Sequence, residues 1–369
     1  MAKTKLSYPF QLIKSLKTRF SRYWKKNLRH KIFASLIIFL VLLICAMYGI
    51  SKWYNISQES KPLQLGVSFD PDYAQSLGLN PEQNMKALLN IGVRQFRINS
   101  YWNDVEPEPN QYNFTNLDWE FKLAQQYHAK IILVVGLRQP RWPECHPPSW
   151  INTDQPEANW QPQLEAMMTK VINRYKDSSS LQSYQLENEY FLKGFGTCSN
   201  YTFSRERLVS EDNLIKKLDP SHPIIIPRSN NTIGWPTGQP QSTTYSISIY
   251  RRVWDARWTH RYFEYPWPGW YYGFVAGIEK LVFHKSMVVD ELQAEPWPPE
   301  GKSITQISLA EQSKSMNASR LKGMFQYGKS TGMKQLELWG GEYWYYRMEK
   351  LHDPSLWNVA KQEFENSKQ

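Results

Sequence analysis

Two glutamates stand where paired carboxyl chemistry would need them. Glu189 closes the segment Leu181-Gln182-Ser183-Tyr184-Gln185-Leu186-Glu187-Asn188-Glu189, and Glu291 follows Ser286-Met287-Val288-Val289-Asp290. Cleaving a glycosidic bond takes two such groups, one protonated to serve the leaving oxygen and one ionised to attack the anomeric carbon. Like charge and partial burial raise one pKa of such a pair and so divide the roles. Plainer readings stand beside this one. Glu189 also fits a surface loop after a strand, and Glu295, four residues beyond Glu291, also precedes an aromatic loop. The place of Glu291 directly after an apolar run favours it over Glu295. Strand alternation turns Asp290 to the opposite face but does not remove Glu187, which shares a face with Glu189.

Some scaffold must bring those two segments together. Between residues 63 and 338, apolar β-type runs alternate with helical patterns. The expected strands are 63–68, 93–98, 130–135, 181–186, 223–227, 245–250, 286–290 and 334–338. Asn80-Pro81-Glu82-Gln83 supplies an N-cap, a first-turn proline and a returning Gln; Met85, Leu88 and Leu89 form one face, and Gly92 is the stop. Thr115 with Asp118 reads as a second capping box, ahead of Phe121 and Ala124. Tyr271, Phe274, Val275 and Ile278 keep helical spacing, as do Leu321, Met324, Phe325 and Gly328, and Asp353-Pro354 opens a last helix. Parallel βαβ units in this number suit a closed (β/α)8 TIM barrel. The fifth helix is the exception, because only 22 residues separate the starts of strands five and six. No glycine-rich phosphate loop supports an open doubly wound sheet instead. In such a barrel chemistry gathers at the C-terminal strand ends, so carboxylates after strands four and seven face one another across the mouth.

At those strand ends the sequence resembles the clan A glycoside hydrolases. The run from Val93 to Trp119, which opens Val-Arg-Gln-Phe-Arg-Ile-Asn, is similar to their second-strand region. Leu186-Glu187-Asn188-Glu189-Tyr190 resembles the acid/base motif of the clan's β-galactosidases, and Val288-Val289-Asp290-Glu291-Leu292 their nucleophile motif. The resemblance spans residues 63–345. It implies a retaining β-glycosidase with Glu189 as acid/base and Glu291 as nucleophile, their carboxyl groups about 5–5.5 Å apart. It further implies substrate-site roles for Arg97, Asn188, Tyr250 as the partner of the nucleophile, and Trp339 as an aromatic platform. Arg97 has a plainer reading as an ion-pair partner inside the barrel, and Tyr250 and Trp339 as ordinary barrel caps. Two positions depart from the pattern. Many cellulase-like members carry a His on strand three and another two residues before the strand-six Tyr. Here strand three ends Val135-Gly136-Leu137-Arg138, and Ser248 fills the second position. Those histidines line the subsite beside the cleaved bond, so the departure bears on the choice of sugar.

Sixteen Trp and 22 Tyr are many for 369 residues. Sugar rings stack their apolar faces on such side chains, although loop packing uses them equally. Cys145 follows strand three and Cys198 strand four, on adjacent loops of one barrel face, and a disulfide between them is expected. No cysteine or histidine spacing suggests a metal site, and no cofactor is expected. Sequons such as those at Asn113 and Asn200 are too frequent by chance to imply glycosylation.

The formal charge of +10 is local. Residues 1–31 hold ten Lys or Arg and no acid, and the remainder is balanced at 34 of each sign. A neutral main domain argues against a nucleic-acid partner. Phe33 to Ile50 is eighteen residues without charge, long enough to cross a bilayer, with Lys52, Trp53 and Tyr54 as interfacial anchors. The basic leader keeps the N-terminus cytoplasmic. A cleaved signal peptide fits less well, since the leader is long and Ala46-Met47-Tyr48 is not a small-x-small site. A lipoprotein signal ending at Cys45 is disfavoured by the large Ile44 before it. The expected organisation is a basic tail over 1–31, an anchor over 32–51, a linker over 52–62 and the barrel over 63–369. The expected function is a single-pass membrane enzyme hydrolysing extracytoplasmic oligo- or polysaccharide. A barrel that binds glycan without cleaving it, or a transglycosylase of surface polysaccharide assembly, would carry the same features.

Overall fold

The structure, a computed structural model, describes residues 17–18, 28–192, 204–230 and 240–367. In chain order its strands are β1 (Gln64–Phe69), β2 (Gln95–Asn99), β3 (Lys130–Val135), β4 (Leu181–Leu186) and β5 (Ile224–Asn230). They continue with β6 (Thr244–Ile249), β7 (Arg252–Asp255), β8 (Arg261–Glu264), β9 (Ser286–Gln293) and β10 (Gln335–Trp339). All but β7 and β8 form a closed parallel barrel, shut where β1 pairs with β10. The TIM barrel expected from the alternation is therefore present. The sequence reading did not anticipate the antiparallel β7–β8 hairpin, which is inserted directly after β6.

Alternation explains how the strands are packed. Outward side chains such as Phe96, Ile98, Leu133, Tyr184, Ile247, Val289 and Leu338 join one apolar layer beneath the helices. Inside, the apolar cluster is a small plug of Ile132, Ile225 and Val288. The lumen otherwise holds buried polar groups, among them Gln95, Arg97, Gln185, Ser246, Asp290 and Glu337. Polar groups out of water cost free energy unless they are bonded, so this filling only works as a connected network.

The principal helices are α1 (Leu28–Gln58), α2 (Pro81–Asn90), α3 (Thr115–Gln126), α4 (Gln161–Tyr175) and α5 (Arg205–Leu218). After the hairpin come α6 (Gly269–Phe283), α7 (Ala318–Ser330), α8 (Gly341–Leu351) and α9 (Ser355–Asn366). Asn80 caps α2 as expected, its side chain accepting from the Gln83 amide at 2.9 Å. The capping box at Thr115 does not form. Thr115 is already inside α3, Asn113 accepts from its amide and hydroxyl, and Asp118 is taken by Arg174 and Tyr175 of α4. No helix is described between β5 and β6; residues 231–239 lie outside the described residues.

Residues 52–58, expected to begin a linker, instead continue α1 without a break. The reason is that they have a surface to bury. Ser51, Tyr54 and Gln58 are buried along one face, and α6 offers glycines there. A Cβ on Gly273 would lie 2.5 Å from the Ser51 hydroxyl, and one on Gly277 would lie 2.7 Å from Ile50. Upstream, the side chains from Leu36 to Ile44 are exposed, and α1 is long and apolar enough to cross a membrane.

Candidate active site

Arg97, at the middle of β2, organises the upper lumen. It is buried, and its guanidinium donates to Gln185 Oε1 (2.7 Å), Ser68 Oγ (3.2 Å), Asn188 Oδ1 (2.7 Å) and Glu291 Oε1 (2.9 Å). A buried cation needs such a set, because its desolvation must be offset on every donor. The other oxygen of Glu291 accepts from the Tyr250 hydroxyl at 2.5 Å. Glu291 therefore receives donors on both oxygens and is held in one orientation.

With Glu291 inward, alternation is expected to turn Asp290 outward, and the structure corrects this: Val288 faces the lumen and Val289 the outer layer, so Asp290 keeps the alternation and Glu291 is the residue that departs from it. The pairing shifts by one residue at this point, from Ile247 opposite Val289 to Ser248 opposite Glu291. The extra residue is a bulge, which lets neighbours share a face. Asp290 accepts from Ser246 inside the barrel, and burial, with Glu291 adding to it, pushes its carboxyl up to about 6.

Glu189 stands after β4 with φ of 41°, in the left-handed region that costs a glutamate energy. It is buried, and its Oε1 has no hydrogen-bond partner among the described residues. Burial raises its pKa well above the usual carboxyl range, and the charges of Glu291 and then Glu144 add to the rise. Glu187, left open by alternation, has a structural post. It accepts from the amides of Leu137 and Arg138 (3.0 and 2.7 Å) and from Arg207 (2.6 Å), tying the β3 loop to α5. Gly136, at φ of 113°, leaves room for that carboxylate, since a Cβ there would lie 2.8 Å from it.

A cavity of about 300 Å³ opens above these groups, within the range of small-molecule sites. Glu189, Glu291, Tyr250 and Trp339 line it. Arg97 and Asn188 do not. They are buried beneath it, where Asn188 links Arg97 to Glu144 by donating to Glu144 Oε2 at 3.0 Å. Their position therefore supports the carboxylates rather than reaching a ligand.

The sequence reading missed two charged lining residues, Arg141 and Glu144. Glu144 is buried, with Arg138 at 3.7 Å, and burial with the Glu291 charge pushes it up to about 8. Arg141 lies 4.3 Å over the Trp339 ring and 3.4 Å over that of Tyr73, and ion-pairs with Glu295 (3.3 Å), Glu342 (3.5 Å) and Asp70 (3.7 Å). Both come from the irregular loop after β3, at φ of 80° (Arg141) and 72° (Glu144), where no periodicity could flag them. Glu295, the rival to Glu291, is on the cavity wall, engaged by Arg141 and the Tyr73 hydroxyl (2.8 Å). Cys145 is disulfide-bonded; Cys198 lies outside the described residues.

Residues 79–163 match the family model of the β-galactosidases of glycoside hydrolase family 42. No curated protein matches the chain. By structure the barrel is similar to a β-galactosidase from the Antarctic haloarchaeon Halorubrum lacusprofundi, with TM-score 0.53 and 13% identity over 83% of this chain and 58% of that one. Xylanase 10B of Thermotoga petrophila RKU-1 gives 0.53 and 13%, over 87% and 97%. Xylanase10C of Cellvibrio japonicus gives 0.53 and 12%, over 84% and 68%. The chain thus spans less than two thirds of the archaeal enzyme. At these identities the structural likeness is one of fold. In one stretch of sequence and across its barrel, this chain is similar to the clan A glycoside hydrolases.

Proposed function

We propose that the chain is a retaining β-glycosidase, anchored by α1 with its barrel outside the cytoplasm and acting on oligo- or polysaccharide there. The observation that carries the reading is the asymmetry of the two carboxyls. Glu291 accepts from Arg97 and Tyr250, whereas burial holds the proton on Glu189, which keeps one oxygen unengaged. In the first step a carboxylate oxygen of Glu291 bonds to the anomeric carbon as the glycosidic bond breaks, and the leaving oxygen takes the proton of Glu189. In the second, water attacks the same carbon, Glu189 takes back a proton, and Glu291 leaves. Trp339 and Trp297 give apolar walls against which a sugar face can lie.

Glu295 has a different setting, held by Arg141 and Tyr73 on the wall of the cavity, and this favours Glu291 as the nucleophile. A fluorinated mechanism-based glycoside should label the protein at Glu291, read by peptide mass mapping. Labelling at Glu295, or turnover with inverted anomeric configuration, would remove this assignment.

A further inference from the structure

The opposite end of the barrel holds a second and larger cavity, about 590 Å³, among the first residues of β1, β6, β9 and β10. Lys61, Lys280, Lys285, Lys334 and His284 line it, and among the described residues no Asp or Glu does. None of these lysines is ion-paired among the described residues. Glu279 interacts electrostatically with Lys285 but does not line the cavity and is engaged by Arg228 at 2.7 Å. Lys280 donates to Ser57 of α1 at 2.9 Å. Its ammonium is held below the ordinary lysine value by burial and by the like charge of Lys61. Its ammonium also lies 5.6 Å over the Trp53 ring. Cations gathered in one concavity without a carboxylate on its wall are unfavourable alone and favourable around an anion.

Two neighbours say where that anion would come from. Tyr54 and Gln58 of α1 form one wall. At 1.5 Å per helical residue they lie roughly 6 and 12 Å along the axis from Ile50, where the apolar stretch ends. Beside the lysines, Leu281, Val282 and Phe283 are exposed by 45%, 59% and 43%. Lysines bordering exposed apolar side chains are the composition of a surface that lies in a bilayer interface. We propose that this cavity binds the phosphate headgroup of an anionic membrane lipid, with Leu281, Val282 and Phe283 in its acyl boundary; the choice of a lipid rests on α1 being a membrane anchor.

The test uses the full chain in uncharged detergent, titrated with soluble short-chain phosphatidylglycerol, short-chain phosphatidylcholine and inorganic phosphate, with binding read by native mass spectrometry. Phosphatidylglycerol should bind, and more tightly than either other probe. Replacing Lys61, Lys280, Lys285 and Lys334 together by Gln should weaken it about tenfold or more, while replacing all four by Arg should preserve it. Should the fourfold Gln variant not fold, Lys280→Gln and Lys334→Gln singly should each weaken it severalfold. Phosphatidylcholine binding as well as phosphatidylglycerol, or undiminished binding by the Gln variants, would overturn the site. Phosphate alone binding as tightly would overturn the lipid source. Glycoside hydrolysis by the Gln variants in the same detergent should match the unmodified chain. That assay, and carbonate extraction of α1 from native membranes, read the proposed function independently of the headgroup titration.

Discussion

Each residue of the proposed pair has its own signature. Glu189→Gln removes the acid, so kcat for glycosides with poor leaving groups should fall about 10²–10⁴-fold. Aryl glycosides with good leaving groups should lose far less in the first step, and equal losses for both would deny Glu189 that role. Tyr250→Phe deletes a hydrogen bond to a carboxylate, which should lower kcat about ten- to hundredfold with little change in stability. Glu144→Gln tests the coupling among acids. Glu189 must keep its proton, so activity is lost as pH rises through its raised pKa. Glu144 is one of the charges that raise it, and removing that charge should move the alkaline limb of kcat/KM to lower pH. An unmoved limb would refute the coupling. Glu189, Glu291, Tyr250 and Trp339 were legible because each stands at or just beyond the end of an apolar run of recognisable periodicity. Arg141 and Glu144 were not, because a loop with left-handed residues has no period to read.

Among the elements, the barrel strands were legible and the departures from regularity were not. Apolar alternation located all eight, but one extra residue between Val289 and Glu291 lets Asp290 and Glu291 share the lumen face, and nothing in the local composition marks that bulge. The continuation of α1 was hidden for another reason. Residues 51–58 look polar in isolation, and their helix is justified by what it packs on, the glycines of α6 and Gly332, more than two hundred residues away. Gly277→Leu should therefore force α1 off the barrel, overpacking the contact at a cost of about 1–3 kcal/mol. Hydrogen exchange across residues 50–58 should quicken in that variant while the barrel strands stay protected. Unchanged exchange would mean that the contact does not hold the helix.

For the molecule as a whole, the polar lumen makes stability depend on pH. Glu337 is buried in the barrel beside Gln95, and burial pushes its carboxyl up to about 8. The unfolded chain releases that proton near the ordinary carboxyl value, about 4.3, while the folded chain keeps it. Stability from this group is thus full below the unfolded pKa, falls as pH rises toward 8, and levels off above it. Glu337→Gln should flatten part of the fall in Tm between pH 5 and 8, measured by thermal unfolding. A slope equal to that of the unmodified chain would exclude Glu337 as its source.

The clamp between α1 and α6 also bears on reach. With α1 in a bilayer, glycines that let two helices touch remove the swivel that a loose tether would supply. The catalytic mouth then keeps one bearing and one height above the lipid. A polymer rooted in the same membrane would be cut in a narrow band, leaving stubs of nearly uniform length. Chains drifting in solution would be met only when they settle to that level.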